Sequence, residues 1–327
     1  MATAAFSTSA GYRDLRRMVL GQEMVLFIAI VLLFVVVGLI NPRFVAERNI
    51  SSIFLGNAYI AVAAIGMSMV IISGNIDISV GSLIGVLATI AGTLALNGVP
   101  IIICWLAPLV IGIAITSGMG AIVAYLHIPS IVVTLGMLSI LKGGLISVTG
   151  GAWLTNLPPE FFLSQTRLFG IPTPIYFMVG LTIAAAFWMR LSATGRAIYA
   201  VGGNVEAARL SGIDPAATVV KAFAIHGFFV GIAAVLFATQ LSVIQSTVPP
   251  NLELTIITAS VVGGVSILGG TGTVIGSTLA AVLIAAIASS MIFVNISPFW
   301  MRAVQGILIL VTVLADLWRR QRQRMGT

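Results

Sequence analysis

Apolar residues fill this chain in runs of about 17 to 25, each closed by a short polar or Gly/Pro-containing stretch. The runs fall near 24–40, 53–73, 79–96, 101–126, 130–149, 174–190, 218–240, 254–268, 272–293 and 299–316. A helix rises about 1.5 Å per residue, so runs of this length match the bilayer's hydrocarbon thickness, and in lipid a helix satisfies its own backbone. The pattern predicts an all-α polytopic membrane protein of about ten transmembrane helices. Two joints differ from the rest. Ser73–Gly81 and Gly263–Gly272 are rich in Gly, Ser and Thr and sit in corresponding halves, which predicts broken or re-entrant segments near 74–81 and 263–272.

The longest polar interval inside the apolar region is Gly195–Asp214, GRAIYAVGGNVEAARLSGID. Its two arginines, two acids and Ala-rich spacing predict a short docking helix in water rather than a slack linker. Ala207, Ala208 and Leu210 are read as its apolar face, with Glu206 and Arg209 at i and i+3 beside it. The organisation is then a tail over 1–23, a membrane domain over 24–316 with a polar loop at 191–217, and a basic tail over 317–327.

Composition agrees with this picture. The apolar fraction is 59% and only 8% of residues are charged, against roughly 25% in a soluble domain. The net charge of +7 does not form a nucleic-acid-binding stripe, because the basic residues stand at span ends. With the N-terminus inside, eleven (Arg13, Arg16, Arg17, Arg190, Arg196, Arg209, Lys221, Arg319, Arg320, Arg322, Arg324) fall on the inner side. Four (Arg43, Arg48, Arg167, Arg302) fall outside. That bias puts both termini and the 191–217 loop in the cytoplasm and 150–173 outside. The arginines before Met24 resemble a signal peptide, but no small-residue cleavage pattern precedes Asn41-Pro42-Arg43, so the segment reads as a retained first span. One cysteine, Cys104, excludes an internal disulfide.

Ionisable residues at membrane depth are costly and therefore functional suspects. Asp77 and Lys142 qualify. Asp77 either caps the helix that follows or lies on a translocation path; Lys142 snorkels or pairs with an acid across a dimer. Asn57 and Gln240 are helix glue or path-lining groups. His226 reads as a packed, hydrogen-bonded histidine and His127 as a turn residue, and neither has partners at metal spacing. Gly112, Thr116 and Gly120 suit close helix contact. The chain has no catalytic constellation and no ATP-binding loop ending in Lys-Ser/Thr. Coupling to protons or sodium requires membrane acids, which are nearly absent. A driving force supplied by a partner follows.

GGNVEAARLSGI at 202–213 resembles the coupling loop of permease subunits in bacterial ribose-type ATP-binding-cassette sugar importers. The likeness extends through SGNIDISVGSL at 73–83, IPSIVVTLGMLSILKGG at 128–144, GRAIYAVGGN at 195–204 and VVGGVSILGGTGTVIGSTLAAVLI at 261–284, and so over about residues 24–316. The resemblance implies an inner-membrane subunit that pairs with a second copy or a sister permease. It further implies docking on cytoplasmic ATPase subunits that bind ATP and Mg, and solute delivered by a periplasmic sugar-binding protein. Gly203, Asn204, Glu206, Ala207, Ala208, Arg209, Gly212 and Asp214 would form the ATPase-docking element. Asn75, Asp77 and Ser79 match the polar break near the pore, where Asn75 replaces the family's more common glycine; Asn57 and Lys142 join them as path candidates. No cofactor or metal is implied for this chain itself. The solute class is a pentose, hexose or related small polar molecule, a furanosyl signal included. A permease for branched-chain amino acids and an ion-coupled carrier are the alternatives.

Overall fold

The computed structural model describes residues 21–246 and 251–324. Arg13, Arg16 and Arg17 of the N-terminal tail lie outside the described residues, as do 325–327 and the side chains of Arg319, Arg320, Arg322 and Arg324. Twelve α-helices form among the described residues. They are α1 (Gln22–Ile40), α2 (Glu47–Ile72), α3 (Val80–Leu96), α4 (Ile101–Leu126), α5 (Ser130–Thr149) and α6 (Thr173–Leu191), then α7 (Ala193–Gly203), α8 (Val205–Leu210), α9 (Pro215–Ala238), α10 (Leu252–Val262), α11 (Val274–Phe293) and α12 (Met301–Arg324). The only sheet among them is a two-residue hairpin, Arg167–Leu168 against Ile171–Pro172. Eight helices are long and apolar enough to cross a membrane, and α3 and α10 are shorter apolar helices that complete the ten expected.

Burial sorts the helices into layers. In their most apolar stretches α2 is 83% buried, α9 72% and α11 67%, whereas α12 is 0%. The three buried helices form the centre. Helices α1, α4, α5 and α12 expose apolar side chains such as Phe27, Val35, Val110, Val132 and Leu310, as a lipid-facing belt must. Apolar burial gives little drive for helix association in lipid, so close packing of small residues carries it. The α4–α9 contact shows this. A Cβ on Gly112 would lie 2.6 Å from the Gly227 carbonyl oxygen, and one on Gly227 would collide with Thr116 Oγ1 and the Gly112 carbonyl. The two backbones therefore touch.

Contacts define two ends. At one, α7 meets the segments after α2 and α10, and Gln22 Nε2 donates to the Val262 carbonyl at 3.1 Å. At the other, Leu154 bridges Ile244, and the 150–172 loop is ordered, with Trp105 Nε1 donating to the Phe161 carbonyl at 3.3 Å and Ser164 Oγ to Leu236 at 2.8 Å. The largest departure from the pattern is α10. The apolar run at 254–268 gives a helix that stops at Val262, because Gly263 and Gly264 turn the chain, with Gly264 at φ 96°. Its first turn already lies beside Gly81 at the start of α3, where a Cβ would approach the Glu253 backbone at 3.0 Å. Helix α10, about 16 Å long by its rise, thus occupies only the half of the bundle nearest α7. It is a half-helix.

The α4–α9 contact predicts that Gly227→Val forces the helices apart at about 1–3 kcal/mol and lowers the thermal midpoint of the detergent-solubilised protein. Gly118→Ala, where a Cβ meets open space, is expected to leave the midpoint no lower. Equal midpoints would contradict the packing.

Candidate functional site

The polar interval folds into two helices joined at one residue. Ser192 Oγ accepts from Gly195 N at 2.9 Å and starts α7. Asn204, at φ −160°, ends α7 and starts α8, its Oδ1 accepting from Ala207 N at 3.0 Å. Both are N-cap side chains of the preferred kind. Helix α8 closes with two return bonds, Ile213 N to the Ala208 carbonyl and Gly212 N to the Arg209 carbonyl, each 3.0 Å. Gly212 takes φ 80°, which this closure requires and a side chain would strain. Asp214 Oδ1 then accepts from Ala217 N at 3.1 Å and starts α9. The segment from α8 into α9 is one continuously bonded unit.

The faces of α8 differ from the sequence expectation. Ala208 points inward and is buried with Val70, Met119, Val201, Val219 and Phe223. Leu210 is 89% exposed, and Val205, Glu206, Ala207 and Arg209 are exposed with it. Residues two apart on a helix are about 200° around its axis, so Ala208 and Leu210 cannot share a face, whereas Ala207 and Leu210 do. The outward apolar knob is Leu210. The Glu206–Arg209 pair, 3.4 Å apart with both side chains well exposed, is worth at most about 1 kcal/mol.

On its inner side α7 touches both interruptions of the membrane helices. Gly270 N donates to the Ile72 carbonyl at 2.8 Å, tying the second interruption to the end of α2. Gly202 lies against that bond, where a Cβ would collide with the Ile72 carbonyl oxygen and come within 2.7 Å of Gly270 N. Tyr199 donates its hydroxyl to the Gly272 carbonyl at 2.8 Å. Burial first, and the Glu23 carboxylate second, raise the Tyr199 pKa, which keeps the phenol a donor. Of the two glycines expected in the docking element, Gly212 takes a positive φ, whereas Gly203 faces open space and keeps a helical φ; Gly202 is the one in close approach.

The first interruption, residues 73–79, is built round Asp77. Its Oδ1 accepts from Ser79 N at 2.7 Å and Ser79 Oγ at 2.6 Å, and its Oδ2 lies 3.1 Å from His226 Nε2 on α9. Both side chains are 0% exposed. His226 is about 17 Å along α9 from Pro215, counted as eleven rises, so the pair is well inside the bundle. Its other ring nitrogen, Nδ1, has no hydrogen-bond partner among the described residues. The ring lies on Gly66 of α2, where a Cβ would come 2.9 Å from Nδ1. Removing one member of a buried pair costs about 3–5 kcal/mol. Ile76 N donates to Ser130 Oγ at 3.1 Å, anchoring the segment to α5. At the second interruption, Ser266 Oγ donates to Asp316 Oδ2 on α12 at 2.6 Å, beside a cavity of about 340 Å³ lined also by Gln22, Gly264 and Leu268.

Asn75, Asp77 and Ser79 are thus together, with Asn75 Nδ2 bonded to Ser73. The other two path candidates stand apart. Asn57 lies about 22 Å up α2 from Ile72 by helix rise and returns its Nδ2 to the Ile53 carbonyl at 2.9 Å, and Lys142 is exposed on α5. Sequence reading named His226 but missed its pairing with Asp77, which are 149 positions apart, and it gave Asp316 no role. No group of metal ligands forms among the described residues.

Eight helices of membrane-crossing length, two shorter apolar helices, two interruptions tied to each other, and a capped helical pair touching both describe an all-α polytopic membrane protein. The chain belongs to the family described as "Branched-chain amino acid transport system / permease component", matched over residues 49–313. It is 33% identical to the autoinducer 2 import system permease protein LsrC of Salmonella typhi over 90% of this chain and 85% of that one. It is 32% identical to the LsrC of Shigella flexneri over 90% and 86%. No solved structure matches it. With its apolar helices, this membership makes it a multi-pass inner-membrane protein and a permease component of a transport system.

The contrast of two adjacent glycines tests the geometry. Gly202→Ala is expected to lower the thermal midpoint, while Gly203→Ala leaves it unchanged. The opposite order would mean that α7 is not seated on the interruptions.

Proposed function

We propose that the chain is the transmembrane subunit of an ATP-binding-cassette importer, with α7 and α8 as the element that partner ATPase subunits grip. The observation that carries this is the double contact of the segment: outward it offers Leu210 and a polar rim, inward α7 touches the only two places among the described residues where a membrane helix is interrupted. A push on α8 therefore has a short physical route to both interruptions. Asn204, Gly212 and Asp214 shape the element, Ala208 seats it, and Glu206, Ala207, Arg209 and Leu210 face the partner; Gly203 leaves room at the joint. Alternating access of a pore made with a second copy or sister permease completes the reading, with both termini cytoplasmic as the basic residues suggest.

The solute we assign is a sugar-type or similar small polar molecule delivered by a periplasmic binding protein. The LsrC relatives, named for autoinducer 2 import, support that class. The family's printed description supports a second reading, a branched-chain amino acid. Uptake of labelled pentoses and hexoses against labelled leucine, by cells carrying this permease with its neighbouring binding protein, separates the two. Inhibition by leucine alone would select the second.

Two tests address the mechanism. Leu210→Asp replaces a docking knob, worth about 1.5–3 kcal/mol when buried, by a charge. It is expected to cut co-purification of the ATPase at least tenfold while the permease still inserts and keeps its thermal midpoint, and Glu206→Ala should change it less than twofold. Retained ATPase in Leu210→Asp would overturn the coupling assignment. In vesicles holding the permease alone, proton or sodium gradients should drive no accumulation, and robust uptake there would sink the importer reading.

A further inference from the structure

Helix α9 is welded to the docking element at one end and to the first interruption in its middle. The return bonds of α8 run directly into the Asp214 cap of α9, and Ala208 packs on Val219 and Phe223 of its first turns. About one turn beyond Phe223 the same helix closes on α4 through Gly227. Between those two fixed points stands His226. Its only hydrogen bond among the described residues is the one to Asp77, and its ring also lies against bare Gly66 of α2. A displacement of α9 that carries the imidazole therefore pulls on the carboxylate. Asp77 in turn holds Ser79, the residue that caps α3, through both its backbone N–H and its hydroxyl.

From this we propose that the Asp77–His226 pair is the strut through which displacement of the α8–α9 unit reaches the first interruption and the start of α3. His226 is a positioning residue, since it acts through Asp77 and need not touch the solute. The second interruption is held differently, by α7 and by Asp316 of α12. Cutting the strut therefore removes the link from α9 to the first interruption, while its anchor on α5 and the seat of α7 on both interruptions stay in place. Uncoupling, rather than loss of assembly, is the signature. The inference rests on the importer reading above.

The test uses the full complex of permease, ATPase and binding protein in vesicles, and reads solute moved per ATP hydrolysed. His226→Phe keeps a ring on Gly66 and removes the hydrogen bond. It should retain ATP hydrolysis within about twofold and lower solute moved per ATP at least tenfold. His226→Gln, whose amide donates to the same carboxylate oxygen, should recover half or more of the wild-type ratio. A merely structural role would lower both activities together and leave the ratio unchanged. Wild-type coupling in His226→Phe overturns the strut. Should His226→Phe fail to assemble, Asp77→Ser and His226→Ala, which each cut the bond, are compared singly and together. Equal ratios in the double and single variants support the strut, and additive losses or none overturn it. If the wild-type complex itself hydrolyses ATP without moving solute, the importer reading fails instead, and the two failures are distinct.

Discussion

A broken helix inside a membrane must find partners for its freed backbone groups within the protein, because lipid offers none. This chain breaks two helices and solves both problems at one place. The carbonyl of Ile72, left open where α2 ends, accepts the N–H of Gly270 from the other interruption. The Gly272 carbonyl accepts the hydroxyl of Tyr199. The interruptions satisfy each other first and α7 second, so α7 is part of the membrane domain's hydrogen bonding and not an appendage to it. Its position follows from that need. Even the absence of a side chain at Gly202 is explained, since any Cβ would separate the donors from their acceptors.

Two carboxylates extend the same logic. Asp77 and Asp316 are the acids that bond to the two interruptions, and each ties its segment to a side chain at a distance in sequence: one segment is joined to α9 through His226, while the other is joined to α12 through Ser266. A buried carboxylate with one oxygen on a backbone N–H and the other on an imidazole is fully used, which is why Asp77 can stand at 0% exposure in so apolar a chain. The cost of charge at membrane depth thus becomes positional information. Movement of either anchoring helix changes the geometry of a short bond, and short bonds resist stretching far more than packed methyl groups resist sliding.

Much of this was legible in the residues. Run lengths placed most helices within three residues, since length against bilayer thickness is a strong constraint. The spans at 101–126 and 130–149 coincide with α4 and α5, whereas α2 begins six residues before its run, at Glu47, and α12 runs on to Arg324. The Gly/Ser/Thr-rich joints marked both interruptions. What the sequence could not show was anything that depends on contact between distant segments. The run at 254–268 counts among the ten spans, and the break expected near 263–272 cuts it short, since Gly263 and Gly264 end the helix at Val262; how short a half-helix remains is set by where it meets Gly81. Ala208 was assigned outward because composition does not reveal which side of a six-residue helix faces its own protein; the core cluster with Val219 and Phe223 decides it. His226 looked like one more packed histidine, and only the fold brings Asp77 to it.

The division of labour on α8 has a consequence for partner specificity. Ala208 and Ile213 fix the helix to the body through apolar contact and backbone closure, so the orientation of the outward face does not depend on the partner. A pre-set face loses little conformational freedom on binding, and that saving goes directly into affinity. The contact itself is then left to few groups, of which Leu210 is the only large one standing almost fully clear of the surface on α8. Glu206 and Arg209 already neutralise one another across 3.4 Å, so the pair itself adds little net charge to the outward rim of α8. On the coupling proposal, recognition of this permease by an ATPase would depend on shape at a single knob and on the groove that receives it. Sister permeases sharing one ATPase would have to keep that knob, while the surrounding polar positions remain free to vary.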